Sequence, residues 1–260
     1  MSDSEYHYTP EHWSTAQAVS NYKAEDVAAI PVNDRAATRQ AIITTLAHRG
    51  YRLIERSSWH AKPGQSGMRP SNWDYHDIVI HHAGRSYSCG APSIDEIRRA
   101  QAEDMAGSDG FHDIGYHYAV SCQGEIYEAR DIRFFGEHVL HDNTGKIGIV
   151  FLADFVQAGE AYEQEYKSDS FFKKMYELRD ILIDQAIVRH DKPTELQVQA
   201  VTALCGVLKE FFNITRLGGH REYQKLANNL GRACPGNIGM DVVKLLRNKL
   251  AFSAPSAKAS

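Results

Sequence analysis

Two histidines stand side by side at the end of an apolar run, in IVIHHAG (residues 78–84), with a third, His220, in LGGHREY and a cysteine, Cys234, in GRACPG. Imidazole nitrogen and thiolate sulfur are preferred zinc ligands, and a catalytic zinc takes three protein ligands and keeps a fourth position for water. The same residues allow a second chemistry, with Cys234 as nucleophile and His220 as its base. Taken alone, each cluster is more often structural than a ligand, and none has the compact spacing of a CxxC pair. Strand geometry adds one constraint. Successive side chains on a strand point to opposite faces, so His81 and His82 cannot both face one metal. One is available to ligate and the other to hydrogen-bond inside the fold. The same parity puts Tyr116 and Tyr118 of GYHY on one face and His117 on the other.

The elements that must position these groups are legible from periodicity. DIVIHHA and KIGIVFLADF read as strands buried on both faces. RLIE reads as a short strand, and GYHYAVSCQGEIYEAR (115–130) as two strands around a Gln123-Gly124 turn. Helices are expected at 33–50, from Asn33-Asp34 to a stop at Gly50, and at 93–106, where Ser93 and Glu96 have the spacing of a capping box. Another is expected at 193–212, capped by Thr194, and a last one at MDVVKLLRNKL. The segment 161–190 is helical in period. Residues 1–33 read as an irregular arm, and the end of the chain as a loose tail. Strands alternating with helices give an α/β fold: a central mixed β-sheet flanked by helices, with a mostly helical N-terminal extension. The expected division is 1–50 as extension, 51–250 as catalytic domain and 251–260 as flexible tail.

The bulk numbers exclude several classes. The chain has 260 residues, 43% hydrophobic and 24% charged, an ordinary balance for a globular protein. A formal charge of −4 argues against a nucleic-acid binder, which needs a basic surface. No apolar run is long enough for a transmembrane helix. The start, MSDSEYHYTPEHW, lacks the basic head and apolar run of a signal peptide, so synthesis in the cytoplasm is expected. Four cysteines are too few and scattered for a disulfide scaffold: Cys122 and Cys205 read as buried thiols, and Cys89 as a free thiol in a loop.

Taken in order, R-x-x-W (Arg56–Trp59), IVIHHAG, DIGYHYAVSCQGEIYEAR, KIGIVFLADF, PTELQVQAV, GGHRE and CPG resemble the zinc-dependent N-acetylmuramoyl-L-alanine amidases. That fold is shared by phage amidase endolysins and peptidoglycan recognition proteins. The resemblance runs from about Arg56 to Leu250 and leaves the first fifty residues uncovered. It implies a Zn2+ cofactor held by His81, His220 and Cys234, with His82 left to the fold. It also implies a catalytic Tyr116, a cleft-lining His138 that contacts substrate, and Arg232 where phage-type enzymes have lysine and many recognition proteins threonine. The implied substrate is peptidoglycan or muropeptide, cut between N-acetylmuramic acid and L-alanine. Non-hydrolytic recognition proteins typically lose the cysteine or the first histidine, and this chain keeps both.

Four departures qualify the resemblance. His220 and Cys234 lie fourteen positions apart, against about eight in the family, because EYQKLANNLG is inserted, and a loop can bridge that length at small entropic cost. The segment from about 157 to 190 is longer than usual. Ile132 replaces a family tryptophan associated with the stem peptide's diamino acid. No carboxylate occupies the core of IGIVFLADF, where other branches place a glutamate, which leaves Tyr116 or a metal-bound hydroxide as base. Three readings follow: a metalloamidase, a thiol hydrolase, and a peptidoglycan-binding module without turnover. A wall-degrading role would place the protein at the cell wall or periplasm after release or secretion, as an endolysin or delivered toxin. A recycling enzyme fits less well, because that branch usually has aspartate where Cys234 stands.

Overall fold

The computed structural model describes residues 35–84, 88–106, 110–157, 159–160 and 191–256. The arm expected over 1–33 and the helix expected over 161–190 lie outside the described residues. A helix α1 (Arg35–His48) leads into a short strand β1 (Leu53–Ile54), followed by β2 (Asp77–His82) and α2 (Ser93–Asp104). Strands β3 (Tyr118–Val120), β4 (Ile126–Glu128) and β5 (Lys146–Phe151) precede the long helix α3 (Glu195–Phe211). The chain continues through β6 (Arg216–Gly219), α4 (His220–Asn228) and α5 (Gly236–Leu250).

The six strands form one sheet in the order β1-β4-β3-β5-β2-β6, parallel except for the β3–β4 hairpin. This is the mixed α/β fold expected from the strand and helix alternation. The central pair, β2 and β5, is buried at every residue, as apolar runs without polar alternation require. One face carries Ile78, Ile80, Ile149 and Phe151, and packs with Ile42 and Leu46 of α1, Leu204 and Leu208 of α3, and Val243 and Leu246 of α5. The opposite face carries Ala119, Val150 and Leu152 and packs with Trp59, Ile97 of α2 and Ile114. Val79 completes that side with Val139 and Tyr223 of α4. Helix α3 begins as its sequence suggests: the Thr194 hydroxyl accepts the Gln197 N–H at 3.0 Å.

Several expectations are corrected. Cys89 and Cys122 form a disulfide, so neither is a free thiol, whereas Cys205 is buried and unpaired. The pairing joins positions 33 apart, a relation that local pattern does not carry. Ser93 does not cap α2. It is the first helical residue, the N-cap position is Pro92, and its hydroxyl turns to the Gln123 side chain at 2.8 Å. Strand β6 escapes the periodicity because RLGG has two glycines and one apolar side chain, so only its pairing with β2 makes it a strand. The end of the chain is not loose as far as it is described: Phe252 is buried and Ser253 bridges Arg216 beside β6. The insertion after His220 is the helix α4 rather than a bridging loop. No described helix is long and apolar enough to cross a membrane.

Candidate metal centre

Register brings the first two candidate ligands together. Strands β2 and β6 run parallel with Ile80 opposite Gly219, so the next residues along each are His81 and His220. Both therefore stand at the carboxyl ends of neighbouring strands, where parallel α/β sheets open their binding crevices. Their ring centroids lie 4.6 Å apart. Cys234 arrives from the loop after α4, where the Arg221 N–H donates to its carbonyl at 2.9 Å and the Arg221 side chain holds the Ala233 carbonyl. The loop closes tightly at Gly236, with φ of +82°, where an added Cβ would lie 2.1 Å from the Phe155 carbonyl oxygen.

Candidate ligand atoms of His81, His220 and Cys234 all lie within 4.8 Å of one another. Cys234 Sγ is 3.6 Å from His81 Nδ1. A tetrahedral zinc with Zn–S of ~2.3 Å and Zn–N of ~2.0–2.1 Å would separate those atoms by about 3.6 Å, so the donor set fits the ion by spacing as well as by type. The outward nitrogens are also engaged. His81 Nε2 meets His138 Nδ1 at 3.1 Å, and His220 Nε2 meets the Gln224 side-chain oxygen at 3.2 Å. Such partners fix the ring orientation and leave the other nitrogen's lone pair for a metal. Burial, aided by the neighbouring imidazoles, pushes His81 well below its ordinary pKa, and burial lowers His220 to about 4. Both rings are thus neutral, the form that ligates.

His82 points the other way. Its Nδ1 accepts the Phe155 N–H at 3.1 Å and lies 3.5 Å from Asp154. Strand parity separates the pair, as the alternation requires. Parity fails for the tyrosines, because β3 begins only at Tyr118: Tyr118 packs in the core beside Ile78, and Tyr116 packs on the opposite face. The Tyr116 ring lies 4.8 Å from that of His81. Burial, then the charges of Asp104 and Cys234, drives its hydroxyl well above its ordinary pKa, so it is a donor.

These groups border a cleft of about 480 Å³ lined by Tyr116, His138, His220 and Arg232, with Asp104 and Gln224. His138 lines this cleft, as expected of it, and its ring also has inward neighbours. Its Nδ1 faces His81 and its Nε2 is buried, with the ring seated over Gly148, where a Cβ would lie 2.6 Å from Cδ2. From there it can orient His81, a candidate ligand. Gln224 escapes sequence reasoning when the insertion is taken for a loop. As a helix, the i, i+4 spacing from His220 points to it directly.

A family model described as N-acetylmuramoyl-L-alanine amidase matches residues 71–237. The chain belongs to this family. Among relatives of this amidase-family chain, peptidoglycan-recognition protein SC2 of Drosophila melanogaster is 31% identical over 106 residues, covering 41% of this chain and 57% of that protein. Peptidoglycan recognition protein 3 of Mus musculus is 35% identical over 107 residues, 40% of this chain and 30% of that one. The match therefore spans from under a third to just over half of the length of such relatives. The crystal structure of Drosophila peptidoglycan recognition protein SD has the same fold, with a TM-score of 0.53 at 19% identity over 78% of this chain and 97% of that one.

Proposed function

We propose that this chain hydrolyses the amide bond between N-acetylmuramic acid and L-alanine of peptidoglycan, using zinc held by His81, His220 and Cys234. The observation that carries the reading is the convergence of those three donors, two of them oriented from behind, beside a cleft that His220 lines. A related fold, peptidoglycan recognition protein-LE, was solved in complex with tracheal cytotoxin, a monomeric diaminopimelic acid-type peptidoglycan. That supports a muropeptide as the class of substrate.

His81, His220 and Cys234 would hold a zinc whose Lewis acidity would lower the pKa of a water to ~7 and polarise the lactyl carbonyl. The protein's own residues complete the chemistry. Tyr116, held protonated, donates to the oxygen that gains charge in the tetrahedral state. Arg232 adds a fixed positive charge from the cleft wall, since a guanidinium keeps its proton at working pH. Replacing Tyr116 by phenylalanine is expected to lower kcat by ~10²–10³ with zinc content and Tm unchanged. Steady-state kinetics on a muropeptide checks this, and an unaltered kcat would remove Tyr116 from the site.

Incubating purified sacculi with zinc-loaded protein tests the function as a whole. Stem peptide should be released, release should stop on chelation, and zinc should restore it. Binding of muropeptide with no release would establish a binding module instead. The thiol-hydrolase reading is less favoured, because Cys234 Sγ meets His81 Nδ1 at 3.6 Å while His220 Nε2 meets the Gln224 side chain at 3.2 Å. Activity that survives chelation but not iodoacetamide would revive it.

A further inference from the structure

We propose that Asp104 is the residue that takes and returns the proton in this hydrolysis, an inference that rests on the amidase reading above. The cleft needs a proton acceptor, and its other groups are unsuited to the task. The Tyr116 hydroxyl stays protonated, Arg232 holds its charge, His220 and His138 are committed to ligation or to orienting a ligand, and His141, which also lines the cleft, is exposed to solvent. Two carboxylates line the cleft among the described residues, Asp104 and Glu137. Glu137 is occupied: it pairs with Arg130, and with His112 at 2.7 Å, and these partners hold it below the usual carboxylate range. Asp104 accepts a hydrogen bond from the Gly115 N–H at 2.8 Å and forms no ion pair among the described residues.

The position of Asp104 is built rather than incidental. It is the last residue of α2, and the Gly115 N–H that fixes it belongs to the residue before Tyr116. Carboxylate and phenol are thus anchored to one another through adjacent backbone. Burial raises Asp104 to about 6, opposed by that N–H and by Arg130, and reinforced by Glu137 and Asp113. A helix carboxyl end, with its unpaired carbonyls, also disfavours negative charge. The remaining charged groups nearby are largely paired off. On α2, Glu96 pairs with Arg99 and Glu103 lies beside them, while Asp113 pairs with Arg56 at 2.9 Å. His138, His220 and Arg232 line the same cleft. A carboxylate so placed has the affinity for protons that acid–base catalysis near neutral pH requires.

The step balances without a further reactant. The water oxygen bonds to the lactyl carbon and its proton passes to the Asp104 carboxylate. When the carbon–nitrogen bond breaks, that proton goes to the departing alanine nitrogen. Asp104 is left ionised, beside one carboxylic acid and one amine.

Asp104→Asn keeps an acceptor for the Gly115 N–H and removes the base, so the fold is expected to persist. The zinc-loaded variant should retain metal content, Tm and muropeptide affinity while kcat falls ~10²–10⁴-fold. Wild-type kcat/KM should rise with pH through an acid limb near 6, because the ionised form is the active one, and the residual activity of the variant should lack that limb. Asp104→Glu should recover part of the rate. Turnover within a few-fold of wild type, or a loss of rate with the limb intact, would overturn the role of Asp104 and leave the amidase reading standing. No turnover by zinc-loaded wild type would overturn both.

Discussion

Cys234→Ser is expected to abolish muropeptide cleavage and strip the protein of tightly held zinc. In the proposed site Cys234 is one of three donors, and its Sγ approaches His81 Nδ1 at the separation of a tetrahedral edge. Removing a partner that merely orients a ligand weakens metal sites ~10–100-fold, and losing a ligand should cost more than that. Turnover should fall to the uncatalysed background, since the nucleophile and the polarised carbonyl both depend on the ion. The readout is threefold: metal content by elemental analysis, released stem peptide, and thermal unfolding with and without added zinc. Zinc should bind the folded form of the wild type and raise its Tm, an effect that Cys234→Ser should lose. Stoichiometric zinc together with full turnover in that variant would end the metal-centre reading. The same variant leaves the disulfide intact, because Cys234 is one of the two free cysteines.

The second large effect concerns stability. Reducing the Cys89–Cys122 bond, or replacing both residues by serine, is expected to destabilise the fold by about 3–4 kcal/mol, the loop-closure value for the separation of 33 residues. For a chain of this size that corresponds to a fall in Tm of roughly 10 °C. The bond ties the chain just after the metal-site strand β2 to the end of β3, and Thr194 at the start of α3 donates to the Cys122 carbonyl. Its loss should therefore loosen the core on the α3 side of the sheet. Thermal scans with and without reductant measure the shift, and the double-serine variant should no longer respond to reductant. Thiol titration of the denatured, unreduced protein should find two free thiols, Cys205 and Cys234. Four would refute the bond. Disulfides persist outside the reducing cytosol, so the bond is expected to hold in an oxidising medium and to open in a reducing one.

Much of the site is legible in the chain itself. Histidine and cysteine carry their ligand chemistry as residue types, and the period of two along DIVIHH separates His81 from His82 wherever the strand lies. The buried strands β2 and β5 and helices α3 and α5 declare themselves by apolar pattern. Parity misleads at Tyr116 because the strand begins two residues later, and a strand's first residue is set by its partner, not by its own side chains. The Ser93-x-x-Glu96 spacing misleads because Gln123, from a distant turn, takes the hydroxyl instead.

The sequence by itself thus determined the donor types, the fold class and the fact that only one of the adjacent histidines can serve a metal. These follow from local alternation and from side-chain chemistry, which do not depend on the rest of the chain. Tertiary structure alone decided which distant groups meet. Pairing of Ile80 with Gly219 sets His220 beside His81, and the α4 helix supplies Gln224 behind it. Packing seats His138 over Gly148, and the end of α2 delivers Asp104 to the cleft. Each of these depends on strand order and on burial of surfaces far apart in the chain, so no window of sequence contains it.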